Sequence, residues 1–219
     1  DYTYDKRLYD RLREGHARPV REHFHAALDY QTKLARFLEN HDEPRACASF
    51  DPLVHRAAAV ITYFIPGLRF FHQGQFEGRK KRISPHLVRA PQESLDKEME
   101  EFYDHLLAIL RKPVVKSGEW QSLACQPAWD GNGSWDSFVA HSWQGSGGER
   151  MLIAVNYAPH PSQCYLNLPF PEIKNRSVRL KDSLSPACYT REGNELLERG
   201  LYLDLQPWSY HVFDLEVNP

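Results

Sequence analysis

The stretch Phe37-Leu38-Glu39-Asn40-His41-Asp42-Glu43-Pro44-Arg45 holds the densest chemistry in the chain. A short apolar run, Leu34 to Leu38, stops abruptly in side chains that ionise or hydrogen-bond. A buried parallel strand delivers such a cluster to the rim of a sheet or barrel, where side chains can meet a ligand. Asp42 and Glu43 supply negative charge, and His41 supplies a directional donor or acceptor. Arg45 either braces Asp42 or Glu39 or lies exposed. An ordinary strand end with a solvated acidic loop has the same composition.

The elements around this stretch divide in two. Lys6 to Arg13 carries Leu8, Tyr9 and Leu12 at helical spacing. A second helix is expected from Val20 to Tyr30, with Val20, Phe24, Ala27, Leu28 and Gln31 along one stripe. Asp51-Pro52 opens a third with an acidic cap and a proline in the first turn, running to about Ile65 and apolar on most faces. Pro66-Gly67 ends it, and Leu68 to Phe71 reads as the next strand. Ser94 caps a further helix in which Leu95, Met99, Phe102, Leu106, Ile109 and Leu110 recur at three- and four-residue steps. After Pro113 the helical period disappears. Apolar segments at 119–125, 137–143, 150–156, 163–168, 177–181, 201–205 and 210–215 alternate with turn signals. Gly131-Asn132-Gly133 and Gly145-Ser146-Gly147-Gly148 suit hairpin turns. These segments predict an antiparallel β-sandwich over 113–219, preceded by an α/β region over 1–112.

Composition narrows the function classes. The formal net charge of −2 creates no field for nucleic acid or an anionic membrane. No apolar run approaches the roughly 18 residues of a membrane helix. Cys47, Cys125, Cys164 and Cys188 are scattered, which argues against a zinc or redox motif and leans towards a reducing, cytoplasmic setting. A Cys164–Cys188 bridge is the alternative. His23 and His25 diverge if they lie on a helix, so no metal is expected there. No cofactor is expected.

The order of these pieces carries a resemblance. Phe37-Leu38-Glu39-Asn40-His41-Asp42 resembles the seventh-strand motif of the α-amylase family, glycoside hydrolase family 13. Pro66-Gly67-Leu68-Arg69-Phe70-Phe71-His72-Gln73-Gly74-Gln75 resembles its eighth strand, usually Gly-x-Pro-x-x-Tyr-x-Gly-x-Glu. Arg69, His72 and Gln75 are read as replacing the Pro, Tyr and Glu. The closing segment, Gly200 to Trp208 followed by Tyr210-His211-Val212-Phe213, resembles the end of that family's all-β domain C. A closed eight-stranded barrel needs about 250 residues, so only its last part, strands six to eight, fits into 1–112. The resemblance therefore implies the C-terminal part of a longer (β/α)8 enzyme followed by domain C.

Retaining glycosidases need two carboxyl groups about 5 Å apart, one nucleophile and one acid/base. In the resembled family these lie on strands four and five, which have no counterpart here. The resemblance assigns Asp42 to transition-state stabilisation and His41 to a hydrogen bond with the sugar. Asn40, Glu43, Arg45, His72 and Gln75 become candidate substrate contacts. Phe70, Phe71 and Phe76 offer aromatic faces for a sugar ring or pack the barrel. The basic run Arg79-Lys80-Lys81-Arg82 is a solvated loop or a seat for a charged substrate group such as a sugar phosphate. The tryptophans offer a starch-binding surface or core packing. The expected partners are an α-glucan or maltooligosaccharide and the missing N-terminal barrel half. A non-catalytic amylase-like scaffold and a carbohydrate-binding module are the rival readings.

Overall fold

The computed structural model describes residues 1–84, 86 and 88–218. Its first part alternates short strands with helices: β1 (Thr3–Tyr4), α1 (Lys6–Glu14), α2 (Ala17–His23), α3 (Leu28–Gln31), β2 (Leu34–Arg36), α4 (Ala46–Ser49), α5 (Pro52–Tyr63), β3 (Leu68–Arg69) and α6 (Lys97–Leu110); the short α7 (Pro113–Ser117) then leads into the second part. β1, β2 and β3 form one parallel sheet with β2 in the middle, in the register Tyr4↔Ala35↔Leu68. This is the geometry of consecutive barrel strands, each returned by helical crossovers.

A buried ionic cluster ties β1, β2 and α2 together. Arg36 is fully buried. Its guanidinium pairs with Asp5, bonds the Gln31 side chain and donates through Nε to the Pro66 carbonyl at 2.9 Å. His23 Nε2 meets the same Asp5 carboxylate at 2.9 Å. Asp5 also caps α1, accepting from the Leu8 N–H at 3.1 Å. Gly67 sits over this cluster at φ +125°, and a Cβ there would lie 2.5 Å from the Leu34 carbonyl oxygen. Glycine is required by both conformation and space.

The second part holds β4 (Glu119–Ser122), β5 (Cys125–Pro127), β6 (Phe138–Gln144), β7 (Arg150–Asn156), β8 (Ser162–Leu166), β9 (Ser177–Asp182), β10 (Cys188–Glu192), α8 (Gly193–Glu198), β11 (Leu201–Leu205) and β12 (Tyr210–Asn218). An antiparallel sheet in the order β10-β9-β12-β7-β6-β4 faces a smaller one in the order β11-β8-β5. The inner layer is filled by Phe138, Leu152, Ala154, Leu166, Leu180 and Phe213. The opposite face of the large sheet is buried too. Val139, Trp143, Met151, Ile153 and Val155 join the core of the α/β part. β7 is therefore apolar at successive positions, as a strand covered on both faces must be. The expected C-terminal barrel part followed by an antiparallel β-sandwich is the fold observed.

Several local expectations are corrected. The helix expected from Val20 to Tyr30 is two helices, α2 and α3, and the Gln31 side chain at the end of the second folds back to donate to the His23 carbonyl at 3.0 Å. That carbonyl is then engaged by a side chain where the helix would have continued. Leu28, placed on the buried stripe, is exposed. Asp51 precedes α5, but its side chain makes no capping bond. α6 is capped by Asp96, which accepts from the Met99 N–H at 3.1 Å, so Ser94 and the exposed Leu95 lie outside it. Segment 119–125 is two strands, since the chain changes sheet between β4 and β5. Gly131–Gly133 consequently links the two sheets and closes no hairpin, whereas Gly145–Gly148 does join β6 to β7. β10 was not expected: it is an exposed edge strand without an apolar pattern. All four cysteines are free, with Cys164 buried in one sheet and Cys188 exposed on the edge of the other.

Candidate active-site rim

The polar constellation begins where β2 leaves the sheet. Phe37 and Leu38 are still buried. Glu39 stays buried and turns inward. One of its oxygens accepts from the Ala46 N–H at 2.7 Å, and the other meets Arg45 Nη1 at 2.7 Å. Burial pushes the Glu39 carboxyl up to about 7 against the pull of those two donors. Arg45 is buried, and its Nη2 donates to the Gln73 carbonyl at 2.8 Å. It thus braces Glu39 and joins the loop after β2 to the loop after β3. Gly74 makes room for it: a Cβ there would fall 2.0 Å from Arg45 Nη2.

Asn40 is the pivot. Its Oδ1 accepts from the N–H groups of Asp42 and Glu43, both at 2.9 Å. Such side-chain-to-backbone bonds fold the chain into a tight local turn. The turn throws the next two side chains outward. His41 is 48% exposed and Asp42 73%, with 3.3 Å between His41 Nε2 and Asp42 Oδ2. Glu43 leans back to Lys6 at 3.3 Å. Among the candidates on this loop, His41 and Asp42 are free to meet a ligand, and Asn40, Glu43 and Arg45 are engaged within the protein.

The loop after β3 closes the other side. His72 is half-buried, and burial together with the charges of Arg45 and His41 lowers its pKa. Gln75 is buried, not presented to the rim. Its Nε2 donates to the hydroxyls of Tyr63 and Tyr103 at 2.8 and 2.7 Å. Tyr103 also meets His55 Nε2 at 2.8 Å, and burial holds His55 neutral, with its pKa down to about 4. Counted residue by residue from Gly67, the glutamate position of the eighth-strand pattern falls on Phe76, one place beyond Gln75. Phe71 stacks on Tyr63 at 4.2 Å, and Phe70 meets Tyr4 edge-on at 5.5 Å. All three phenylalanines pack against the core. The supporting residues Tyr63, Tyr103 and His55 were not anticipated. They lie on helices whose apolar spacing reads as packing alone.

Among the described residues no three or more His, Cys, Asp or Glu side chains are grouped to hold a metal ion. No helix is long and apolar enough to cross a membrane.

No family model and no curated protein sequence matches the chain. Solved structures do. A maltogenic α-amylase from Thermotoga neapolitana superposes with a TM-score of 0.74 at 19% identity, over 98% of this chain and 50% of that one. The fold is that of the C-terminal part of an α-amylase. An α-amylase from Geobacillus thermoleovorans, solved with acarbose, gives 0.71 at 19% identity, over 99% of this chain and 48% of its own. A cyclic maltosyl-maltose hydrolase from Arthrobacter globiformis gives 0.61 at 14% identity, over 97% and 44%. The chain thus spans about half the length of these glycoside hydrolases.

Proposed function

We propose that this chain forms one side of a retaining α-glucosidic active site, completed by an N-terminal half-barrel that supplies the nucleophile and the acid/base. The observation that carries the reading is the Asn40 turn. It presents His41 and Asp42 together at the carboxyl end of a parallel strand, in a fold shared with α-amylases. Asp42 is an open carboxylate suited to stabilising an oxocarbenium-like transition state. His41 donates to a hydroxyl of the same sugar, and His72 lines the facing loop. The substrate is an α-glucan or maltooligosaccharide, in keeping with the acarbose bound by the Geobacillus enzyme. Hydrolysis and transglycosylation share the covalent intermediate and differ in the acceptor, water or sugar.

The test is Asp42→Asn in the completed enzyme. The substitution keeps the shape and removes the charge, so turnover should fall at least about 10²-fold with folding intact. Turnover within about threefold of the parent at saturating substrate would assign Asp42 to the loop's structure alone.

A further inference from the structure

The loop after β3 carries Arg79-Lys80-Lys81-Arg82, a basic run the fold does not consume. Among the described residues none of these side chains is ion-paired. The backbone beneath them is already shaped around an anion. The Lys80 N–H donates to Glu93 Oε2 at 2.8 Å. The Lys81 N–H donates to the two oxygens of the same carboxylate at 3.2 and 3.1 Å. Successive N–H groups converging on one acid make an anion cradle. Beside it opens a cleft of about 530 Å³ walled by Gly78, Lys80, Lys81, Gln92, Glu93 and Asp96. Asp96 is committed to capping α6. The run also touches the rim, because Arg82 Nη2 donates to the His41 carbonyl at 3.3 Å.

We propose that this cradle binds a phosphate monoester carried by the sugar substrate, with Glu93 as the plug that fills it when it is empty. A phosphate brings more negative charge than a carboxylate and one more acceptor oxygen, so it can hold both N–H groups and engage the lysine ammoniums at once. Glu93 is tethered only by exposed bonds, and its displacement costs little. The contact between Arg82 and the His41 carbonyl sets the phosphate beside the sugar-binding loop. The inference rests on the glycosidase reading for the sugar portion of the ligand.

Calorimetric titration of the 219-residue chain with glucose 6-phosphate tests it, with glucose and inorganic phosphate as controls. Glucose 6-phosphate should bind and glucose should not register at the same concentration. Glu93→Gln should tighten binding about threefold or more, because the plug loses its charge. Lys80→Gln combined with Lys81→Gln, which leaves the backbone cradle in place, should weaken binding about tenfold or more. Affinity unchanged in both variants overturns the proposal. So does inorganic phosphate binding as tightly as the ester, which would make the loop a general anion site. The readout is binding at this loop. A completed enzyme without glucan turnover would sink the glycosidase reading and leave a positive titration standing. An active enzyme whose loop ignores the ester would sink this proposal alone.

Discussion

Asn40 does more for the rim than either residue it presents. Two bonds accepted by one amide oxygen turn His41 and Asp42 outward, while Arg45 and the Ala46 N–H hold Glu39 inside. Two buried histidines show what burial does to an ionisable group. His141 is fully buried, and burial lowers its pKa to about 3 against the opposing pull of the Phe64 backbone. His55 is lowered to about 4 by burial and the nearby charge of Arg56. Both titrate near 6.5 in the unfolded chain. Between those values the unfolded state binds protons that the folded state refuses. Their contribution is therefore complete above pH 6.5 and is lost as pH falls, at up to about 1.4 kcal/mol per pH unit for each. His141→Phe should flatten the decline in stability between about pH 6.5 and 4.5, measured by urea midpoints. An unchanged slope would show that His141 is not held neutral.

At the scale of elements, the parallel sheet is very short, and buried polar groups do much of the work of joining it. Asp5 caps α1, receives His23 and neutralises Arg36. Burial pushes its carboxyl up, but His23 and Arg36 outweigh this and hold it below its ordinary value. Asp5→Asn would leave a fully buried guanidinium without a counter-charge, at a cost of about 3–5 kcal/mol. A loss under about 1 kcal/mol in equilibrium unfolding would show that Arg36 finds another anion. This cluster was not legible in the sequence, because pairing between residues 5, 23 and 36 follows from the fold. The α5 and α6 helices and strands β6, β7, β9 and β12 of the large sheet were legible, since apolar period and turn residues agree there, whereas the exposed edge strand β10 offered no apolar pattern to read. The break after α2 was not legible, because the apolar spacing runs on through residues 24–28 where the helix has already ended. The exposed pair His41 and Asp42 stood out as a polar break after an apolar run. The inward turn of Gln75 did not, since its partners Tyr63 and Tyr103 lie 12 and 28 residues away.

For the whole molecule, the large sheet is a shared wall. Val139, Trp143, Met151, Ile153 and Val155 face the α/β part, and Trp143 Nε1 donates to the Phe64 carbonyl at 2.6 Å. We propose Lys112-Pro113 as the seam between the two parts, but not as a line along which they separate freely. Residues 113–219 expressed alone should expose that apolar face and self-associate, as read by light scattering, whereas a stable monomer would mean the wall is not needed. The α/β part has the converse problem. Its parallel sheet ends at β1 and β3, with Tyr2, Tyr4 and Leu68 exposed on those edge strands or beside them. A barrel's remaining strands would cover both edges. On the glycosidase reading proposed above, Asp42 alone cannot flank a glycosidic bond with a nucleophile and an acid, so both would come from the other half. Reducing-sugar release from soluble starch and maltooligosaccharides by the purified 219-residue chain tests this most directly. The account predicts no turnover. Turnover near that of a complete amylase, abolished by a substitution within this chain, would contradict it and require a catalytic pair among these residues.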